Sequence, residues 1–248
     1  MNFNLPPHNL ISGRRAVIEA LSANKPVEKL IIRLGTKGEI IGKIISAAKT
    51  ANVRIDRLPP ETFDRKFDPK SSGGVVLFTE EVASVSIDDI LSHAEDRRES
   101  PFIVVLDGIE DPHNLGAIAR SAEGAGCHGL VTSTRRSAPL SPAAVKVSSG
   151  ALLHLPVAKV TNINESLKYL KKQGVWVFGA DVKGEDYREV DYPHEIALVI
   201  GAEGQGLSKL TRGVCDKLIS IPLKGKVDSL NASVSAGILL FHVAGKRE

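Results

Sequence analysis

The residues best suited to chemistry lie in three short polar stretches. The first is Asp111-Pro-His-Asn-Leu-Gly-Ala-Ile-Ala-Arg-Ser121, directly after an apolar run. Asn114 is a capping type and can hold a helix start. Arg120 follows nearly two turns later among small and apolar neighbours. Its fixed fork of donors can grip a phosphate or a ribose, or it can pair with Glu123 at i+3 on the surface. The second stretch is Gly201-Ala-Glu-Gly-Gln-Gly206. It lacks the Gly-Lys-Ser/Thr ending of a P-loop and the GxGxxG order of a dinucleotide turn. Its glycines still permit a tight turn and close ligand approach. Glu203 is the lone charge between Ile200 and Lys209, and serves either as a site residue or as a cap for a helix at Leu207. The third stretch is Asp228-Ser-Leu-Asn231, ahead of a long helix. Ser229 and Asn231 are both strong capping types, so one should cap and the other should face a pocket.

Particular elements must carry these stretches to one point. Ile196 to Ile200 is an apolar run that fits a buried parallel strand, and it stops at the glycine turn. A second run, Leu218 to Ile221, ends at Pro222. Two strand ends and a helix start, rich in Gly, Ser and Asn, offer bare backbone groups to a flat, polar-edged ligand such as a nucleoside. The last helix, Ala232 to Ala244, is apolar on nearly all sides. Something must bury it, and a second copy of the chain is the expected partner.

The rest of the chain reads as two α/β units. In the first, residues 1–80, the patterns predict a helix over 12–24 capped by Ser12, a strand over 29–33 and a helix over 38–51. A strand over 53–58, a short helix from Pro59-Pro60, a turn at 71–74 and a strand over 75–79 complete it. Residues 81–100 are acidic, with one helix over 87–94 and a polar tail, and read as a linker. In residues 101–248 a strand (Phe102 to Leu106) precedes a helix (Leu115 to Gly126). Strands at 130–132, 155–160 and 175–180 then alternate with helices at 142–149 and 163–172. Such alternation predicts a parallel sheet with helices on both faces.

Charge is unevenly spread. Residues 1–80 hold 13 basic and 8 acidic side chains, residues 81–100 hold 2 and 6, and residues 101–248 hold 17 and 15. The basic first unit is compatible either with a phosphate-backbone partner or with an ordinary solvated surface. Cys127 and Cys215 lie far apart without metal-ligand spacing and read as reduced core residues of a cytoplasmic protein. The histidines form no ligand pair, so no metal is expected. No apolar run approaches the roughly 20 residues of a membrane span, and the N-terminus lacks a signal-peptide layout.

Three segments together resemble a known family. Asn114-Leu-Gly-Ala-Ile-Ala-Arg120, Val199-Ile-Gly-Ala-Glu-Gly204 and Ile221-Pro-Leu-Lys-Gly-Lys-Val-Asp-Ser-Leu-Asn-Ala-Ser-Val234 are similar to motifs one, two and three of the SpoU branch of the SPOUT RNA methyltransferases. The resemblance spans roughly Phe102 to Val243. Residues 10–80 are similar to the small substrate-binding domain, related to kink-turn-binding ribosomal proteins, that precedes this catalytic domain. The layout most resembles members that methylate a guanosine ribose 2′-hydroxyl in 23S rRNA. The resemblance implies a trefoil knot in the C-terminal chain, a rare exception to unknotted topology. It implies S-adenosylmethionine held mainly by backbone at Gly201, Ile221 and Leu230, and a homodimer with sites at the subunit interface. Asn114, Arg120, Glu203, Ser229 and Asn231 match the family's motif positions. Leu223 and Ala232 stand where the family often has Met and Val. Arg14, Arg15 and Lys43 would meet RNA phosphates. A tRNA or different rRNA nucleotide as target, and a non-catalytic assembly factor, are the competing readings. A dehydrogenase is disfavoured by the absent GxGxxG.

Overall fold

The computed structural model describes residues 10–22, 27–79 and 84–247. The chain divides into two units, residues 1–81 and 82–248. The first contains β1 (Leu10–Ser12), α1 (Arg14–Ser22), β2 (Val27–Arg33), α2 (Glu39–Thr50), β3 (Arg54–Leu58), α3 (Pro60–Lys66), α4 (Pro69–Ser72) and β4 (Val75–Thr79). Its strands form a sheet in the order β1-β4-β2-β3, parallel only between β2 and β3. The period-2 alternation of β2 and β4 sends Leu30, Ile32, Val75 and Leu77 to one face, under Val17 and Leu21 of α1 and Ile41 and Ile44 of α2. Ile31, Val76 and Phe78 go to the other face, with Phe63 of α3. β1 is too short to show a period, and the expected helix over 12–24 took in its last residue, Ser12. Gly13 rather than Ser12 opens α1, since its carbonyl accepts from the Val17 amide at 3.0 Å. Residues 23 and 24 of that expectation lie outside the described residues.

The second unit contains β5 (Ser84–Val85), α5 (Ile87–Asp96), β6 (Phe102–Asp107), α6 (Pro112–Gly124), β7 (Gly129–Ser133), α7 (Pro142–Val147), β8 (Val157–Val160), α8 (Ile163–Lys172), β9 (Trp176–Asp186), β10 (Ile196–Gly201), α9 (Lys209–Val214), β11 (Lys217–Ser220) and α10 (Ala232–Arg247). Its seven strands run in the order β11-β9-β10-β6-β7-β8-β5, and every pairing is parallel. Phe102, Val104, Leu106, Ile196, Leu198 and Ile200 face α6 and α10. Ile103, Val105, Ala197 and Val199 face α5 and α8. Both faces are covered, which is why β6 and β10 read as continuous apolar runs rather than alternating ones.

Residues 81–100 are not simply a linker. β5 extends the sheet edge, pairing Ser84 with Val157 and Val85 with Ala158. Ser86 and Asp89 form a capping box for α5, and Ile90 of that helix is fully buried. The polar tail is tied down as well. Glu99 reaches the buried His128 at 3.0 Å, and Ser100 donates to Glu195 at 2.6 Å. Asp88, Asp89, Glu95 and Asp96 lie on the exposed side of an amphipathic helix, which composition alone makes look like a linker. Residues 81–83 lie outside the described residues.

Two other elements differ from expectation. β9 runs six residues past Ala180, and its register with β11 jumps from Leu218↔Gly179 to Ile219↔Glu185. The extra residues bulge, and the bulge tucks Asp181 into the protein. α10 is covered on one side only. Ala236, Leu239, Leu240 and Val243 are buried, whereas Val234, Ile238 and Phe241 are exposed. Both cysteines are free, Cys127 buried and Cys215 half-buried. No helix among the described residues is long and apolar enough to cross a membrane.

Candidate active site

The site forms beyond the carboxyl ends of β6 and β10, neighbouring strands at the centre of the sheet where chain order reverses. Open parallel sheets bind ligands at such points. Asp111, not Asn114, caps α6. Its carboxylate accepts from the His113 amide at 2.9 Å, and Pro112 fills the first helical position. Asn114 therefore sits within the first turn with its side chain released from capping. It meets residues far along the chain. Its Nδ2 donates to Glu203 Oε2 at 3.4 Å, and its Oδ1 accepts from Asn231 Nδ2 at 3.0 Å. Asn231 Nδ2 also donates to Glu203 Oε2 at 3.1 Å.

As expected, one of the pair caps and the other faces a pocket: Asn231 caps α10 and Ser229 lines a cavity, but Asn231 also reaches Asn114 and Glu203. Its Oδ1 takes the amides of Ser233 and Val234 at 2.9 and 3.4 Å and the Ser233 hydroxyl at 2.6 Å. The carboxylate can only accept, so the nitrogen side of Asn231 must point to Glu203. Every hydrogen-bonding atom of the Asn231 amide is thereby used. The free valences of the cluster are one N–H of Asn114 and the second oxygen of Glu203. Ser229 is exposed, and among the described residues its hydroxyl meets Asp228 alone, at 3.5 Å.

Glu203 rides on a hairpin closed on itself. Ala202 and Gly206 form an antiparallel bridge, and the Gly206 amide donates to the Ala202 carbonyl at 2.8 Å. A Cβ on Gly201 would lie 2.2 Å from the Gly206 carbonyl carbon, so glycine is required by packing. Glu203 does not cap the next helix. Ser208 caps α9 through the Thr211 amide at 3.1 Å, and Asp107 at the end of β6 takes the Ser208 amide at 3.0 Å.

The hairpin separates two cavities. The first, about 430 Å³, is lined by Gly201, Ile221 and Leu230 together with Leu223, Ser229 and Ala232. Its walls combine apolar side chains with strand-end backbone, as a purine nucleoside needs. Arg212 and Asp181, which sequence reasoning missed, also line it, paired at 2.5 Å with the Asp181 side chain almost wholly buried. The signal for Asp181 was a carboxylate directly after an apolar strand. The second cavity, about 740 Å³, lies across the hairpin and includes Asn114, Asp107 and Glu203.

Arg120 is not brought to the cluster. It is exposed, lines neither cavity and makes no hydrogen bond or ion pair among the described residues, so the Glu123 pairing is not formed either. In the first unit, Arg14 is already bonded to the Gly73 carbonyl at 2.8 Å and Lys43 is paired with Glu39 at 2.7 Å, whereas Arg15 is exposed. Among the described residues no cluster of His, Cys, Asp and Glu could hold a metal ion.

Residues 101–241 match the SpoU rRNA Methylase family, and residues 10–84 match the RNA 2′-O ribose methyltransferase substrate binding domain. The chain belongs to the SpoU methylase family. A Bacillus subtilis protein named for the TrmH family of tRNA/rRNA methyltransferases is 40% identical over 241 residues, spanning 97% of this chain and 96% of that protein. The SpoU methyltransferase AviRb from Streptomyces viridochromogenes superposes with a TM-score of 0.71 at 27% identity, covering 97% of this chain and 90% of AviRb. Its complex with the cofactor AdoMet gives a TM-score of 0.68 at 27% identity, covering 96% and 90%. An AdoMet-bound rRNA methyltransferase from Sinorhizobium meliloti gives 0.66 at 26% identity, over 95% of this chain and 86% of that one. This SpoU protein thus has both domains of the family, each with its own buried apolar cluster among the described residues.

Proposed function

We propose that the chain transfers a methyl group from S-adenosylmethionine to a ribose 2′-hydroxyl of RNA, with a guanosine of 23S rRNA as the target. As a SpoU family member it is an RNA methyltransferase. The observation that supports transfer to a ribose hydroxyl is the Asn114–Glu203–Asn231 cluster on the hairpin between two cavities, while the guanosine of 23S rRNA rests on the resemblance of the whole layout. The cavity lined by Gly201, Ile221 and Leu230 is of the right size and polarity for the cofactor. When bound, S-adenosylmethionine supplies a methyl group on a sulfonium.

The chain's own residues position the acceptor. Asn231 is saturated, so it acts as a strut that fixes Asn114 and Glu203. The free Asn114 N–H and the free Glu203 oxygen then offer a donor and an acceptor to one hydroxyl. Positioning of this kind can supply about 7–11 kcal/mol of a barrier. Arg120, always charged, suits a clamp on the target phosphate and the developing oxyanion better than a base. Ser229 lines the cofactor cavity and can pass a proton to solvent.

The reading includes a homodimer and the trefoil crossing of the last segment. Val234, Ile238 and Phe241 make one exposed apolar stripe on α10, at i, i+4 and i+7, and Phe241 runs past Gly124 of α6. A second copy covering that stripe lies against the helix that carries Arg120, and so can complete the site across the interface. Equilibrium sedimentation of the unsubstituted chain checks this, and a monomer at micromolar concentration would remove it.

The test of function is methyl transfer from labelled S-adenosylmethionine to unmodified 23S rRNA, with 16S rRNA and tRNA in parallel, and mapping of the modified ribose. Incorporation at one guanosine of 23S rRNA is expected. Incorporation into tRNA alone would keep the chemistry and overturn the substrate. Absence of cofactor binding would favour a non-catalytic RNA-binding factor.

A further inference from the structure

The second cavity holds a feature that the reaction as derived does not use. Asp107, Asn114, Ser133 and Asn162 line it at the carboxyl ends of β6, β7 and β8, and Glu203 closes it on one side. Arg135 and Arg136, in the loop after β7, form another part of its wall. Both arginines are exposed, and neither guanidinium has a hydrogen-bond or ion-pair partner among the described residues. Three of the carboxylates of the cavity are hydrogen-bonded. Asp107 is occupied by the Ser208 amide, Asp111 by the His113 amide and Glu203 by two side-chain amides. Glu110, exposed, lines the cavity as well, so the lining carries four carboxylates and two guanidiniums; the two arginines form its cationic wall, while the Asn114–Glu203 wall presents hydrogen-bonding groups. Asn164, at the start of α8, adds a buried Oδ1 with no hydrogen-bond partner to the same lining.

We propose that this cavity receives one nucleotide of the RNA chain, with its flanking phosphodiester held by Arg135 and Arg136 and its ribose turned toward Asn114 and Glu203. The proposal rests on the methyl-transfer reading and adds the groups that seat the acceptor. Paired guanidinium forks fit phosphodiester oxygens. The cluster of amides and carboxylate fits hydroxyls. Asn164 Oδ1 is an acceptor suited to a hydroxyl or a base N–H. The second cavity adjoins the first through Ala202, Glu203, Gln205 and Gly206, so a nucleotide seated there faces the cofactor across one hairpin.

The test uses the full chain with two variants. In Arg135→Gln/Arg136→Asn both charges are removed. Asn is chosen because Arg136 sits at φ 51°, a region Asn tolerates. Asn164→Asp places a negative charge in the cavity at the second position of α8, where the helix N-terminus offsets part of the cost of burying a carboxylate oxygen. Steady-state methyl transfer is measured against concentration of the RNA that the unsubstituted chain modifies, at several salt concentrations, with calorimetric titration of S-adenosylmethionine. For the double variant, KM for RNA should rise about tenfold or more, with kcat within about threefold and cofactor affinity unchanged. The slope of log KM against log salt should fall by about 0.7–0.9 for each phosphate that is no longer neutralised. Asn164→Asp should raise KM about fivefold or more with cofactor affinity unchanged, and its Tm is measured alongside as the control for the fold. A KM and salt slope like those of the unsubstituted chain in both variants would overturn this seat while leaving the methyl-transfer reading intact. If the unsubstituted chain binds cofactor but methylates no RNA, the reading itself falls, and this proposal with it.

Discussion

Replacing Asn231 by aspartate probes the cluster with the least damage to the fold. The start of α10 survives, because a carboxylate oxygen accepts from the Ser233 and Val234 amides as the native oxygen does. What disappears is Nδ2, with its hydrogen bonds to Asn114 at 3.0 Å and to Glu203 at 3.1 Å. Two carboxylate oxygens then face each other. Unit charges about 4 Å apart repel by about 1 kcal/mol in water and about 4 kcal/mol at the dielectric typical of a protein surface. Glu203 is exposed, so the lower figure applies. Loss of the charge-assisted hydrogen bond adds about 1.5–3 kcal/mol. Together these give about 2.5–4 kcal/mol, and methyl transfer slower by about 10²- to 10³-fold if Glu203 must be held for the reaction. The effect should reverse with acid. One added proton lets the new carboxyl donate where Nδ2–H did, so turnover of the variant should recover as pH falls from about 8 toward about 5. The assay is kcat across that range, with Tm and cofactor affinity as controls for the fold. A profile parallel to that of the unsubstituted chain, or near-full turnover at the alkaline end, would refute the idea that Asn231 is a strut.

Two further substitutions test the surroundings of the site. In Gly201→Ala the new methyl meets Gly206 backbone at 2.2 Å, so the hairpin must shift. A cost of about 1–3 kcal/mol, a Tm lower by about 2–12 °C and cofactor binding weaker by at least about tenfold should follow. Gly213→Ala, which points into open space on α9, should leave cofactor affinity unchanged, and equal behaviour of the two variants would argue against a tight stem. His128 makes stability depend on pH. Its Nδ1 accepts from the Phe102 amide at 3.0 Å, so its proton lies on Nε2, facing Glu99. Burial outweighs the pull of Glu99 and holds this imidazole below its usual range. The folded chain thus keeps it neutral while the unfolded chain protonates it near about 6.5. The stabilisation is complete above about pH 6.5 and is lost as pH falls through the folded value. Melts between about pH 7 and pH 5 should show a smaller drop in Tm for His128→Gln than for the unsubstituted chain, and parallel curves would contradict this assignment.

What the sequence alone determined was local. The alternation of apolar and charged residues in β3 and the unbroken apolar runs of β6 and β10 reported one sheet in each unit. The spacing in α2 and α8 reported amphipathic helices. The three polar stretches could be read in order, because glycine turns and capping residues act over only a few positions. The partners of those residues depended on tertiary structure. Asn114 looked like a helix cap until Asp111 took that position, and Asn231 then met it from 117 residues away. That meeting requires β10 to lie beside β6, a choice set by how the whole sheet buries its two faces. No local period encodes it. The buried Asp181 opposite Arg212, and the loop that brings Arg135 and Arg136 to the same cavity as Asn114, were equally silent in the sequence. The acidic stretch before Phe102 joined the sheet for the same reason. The energy that orders Ser84 and buries Ile90 comes from β8 and the core, which lie outside the segment itself.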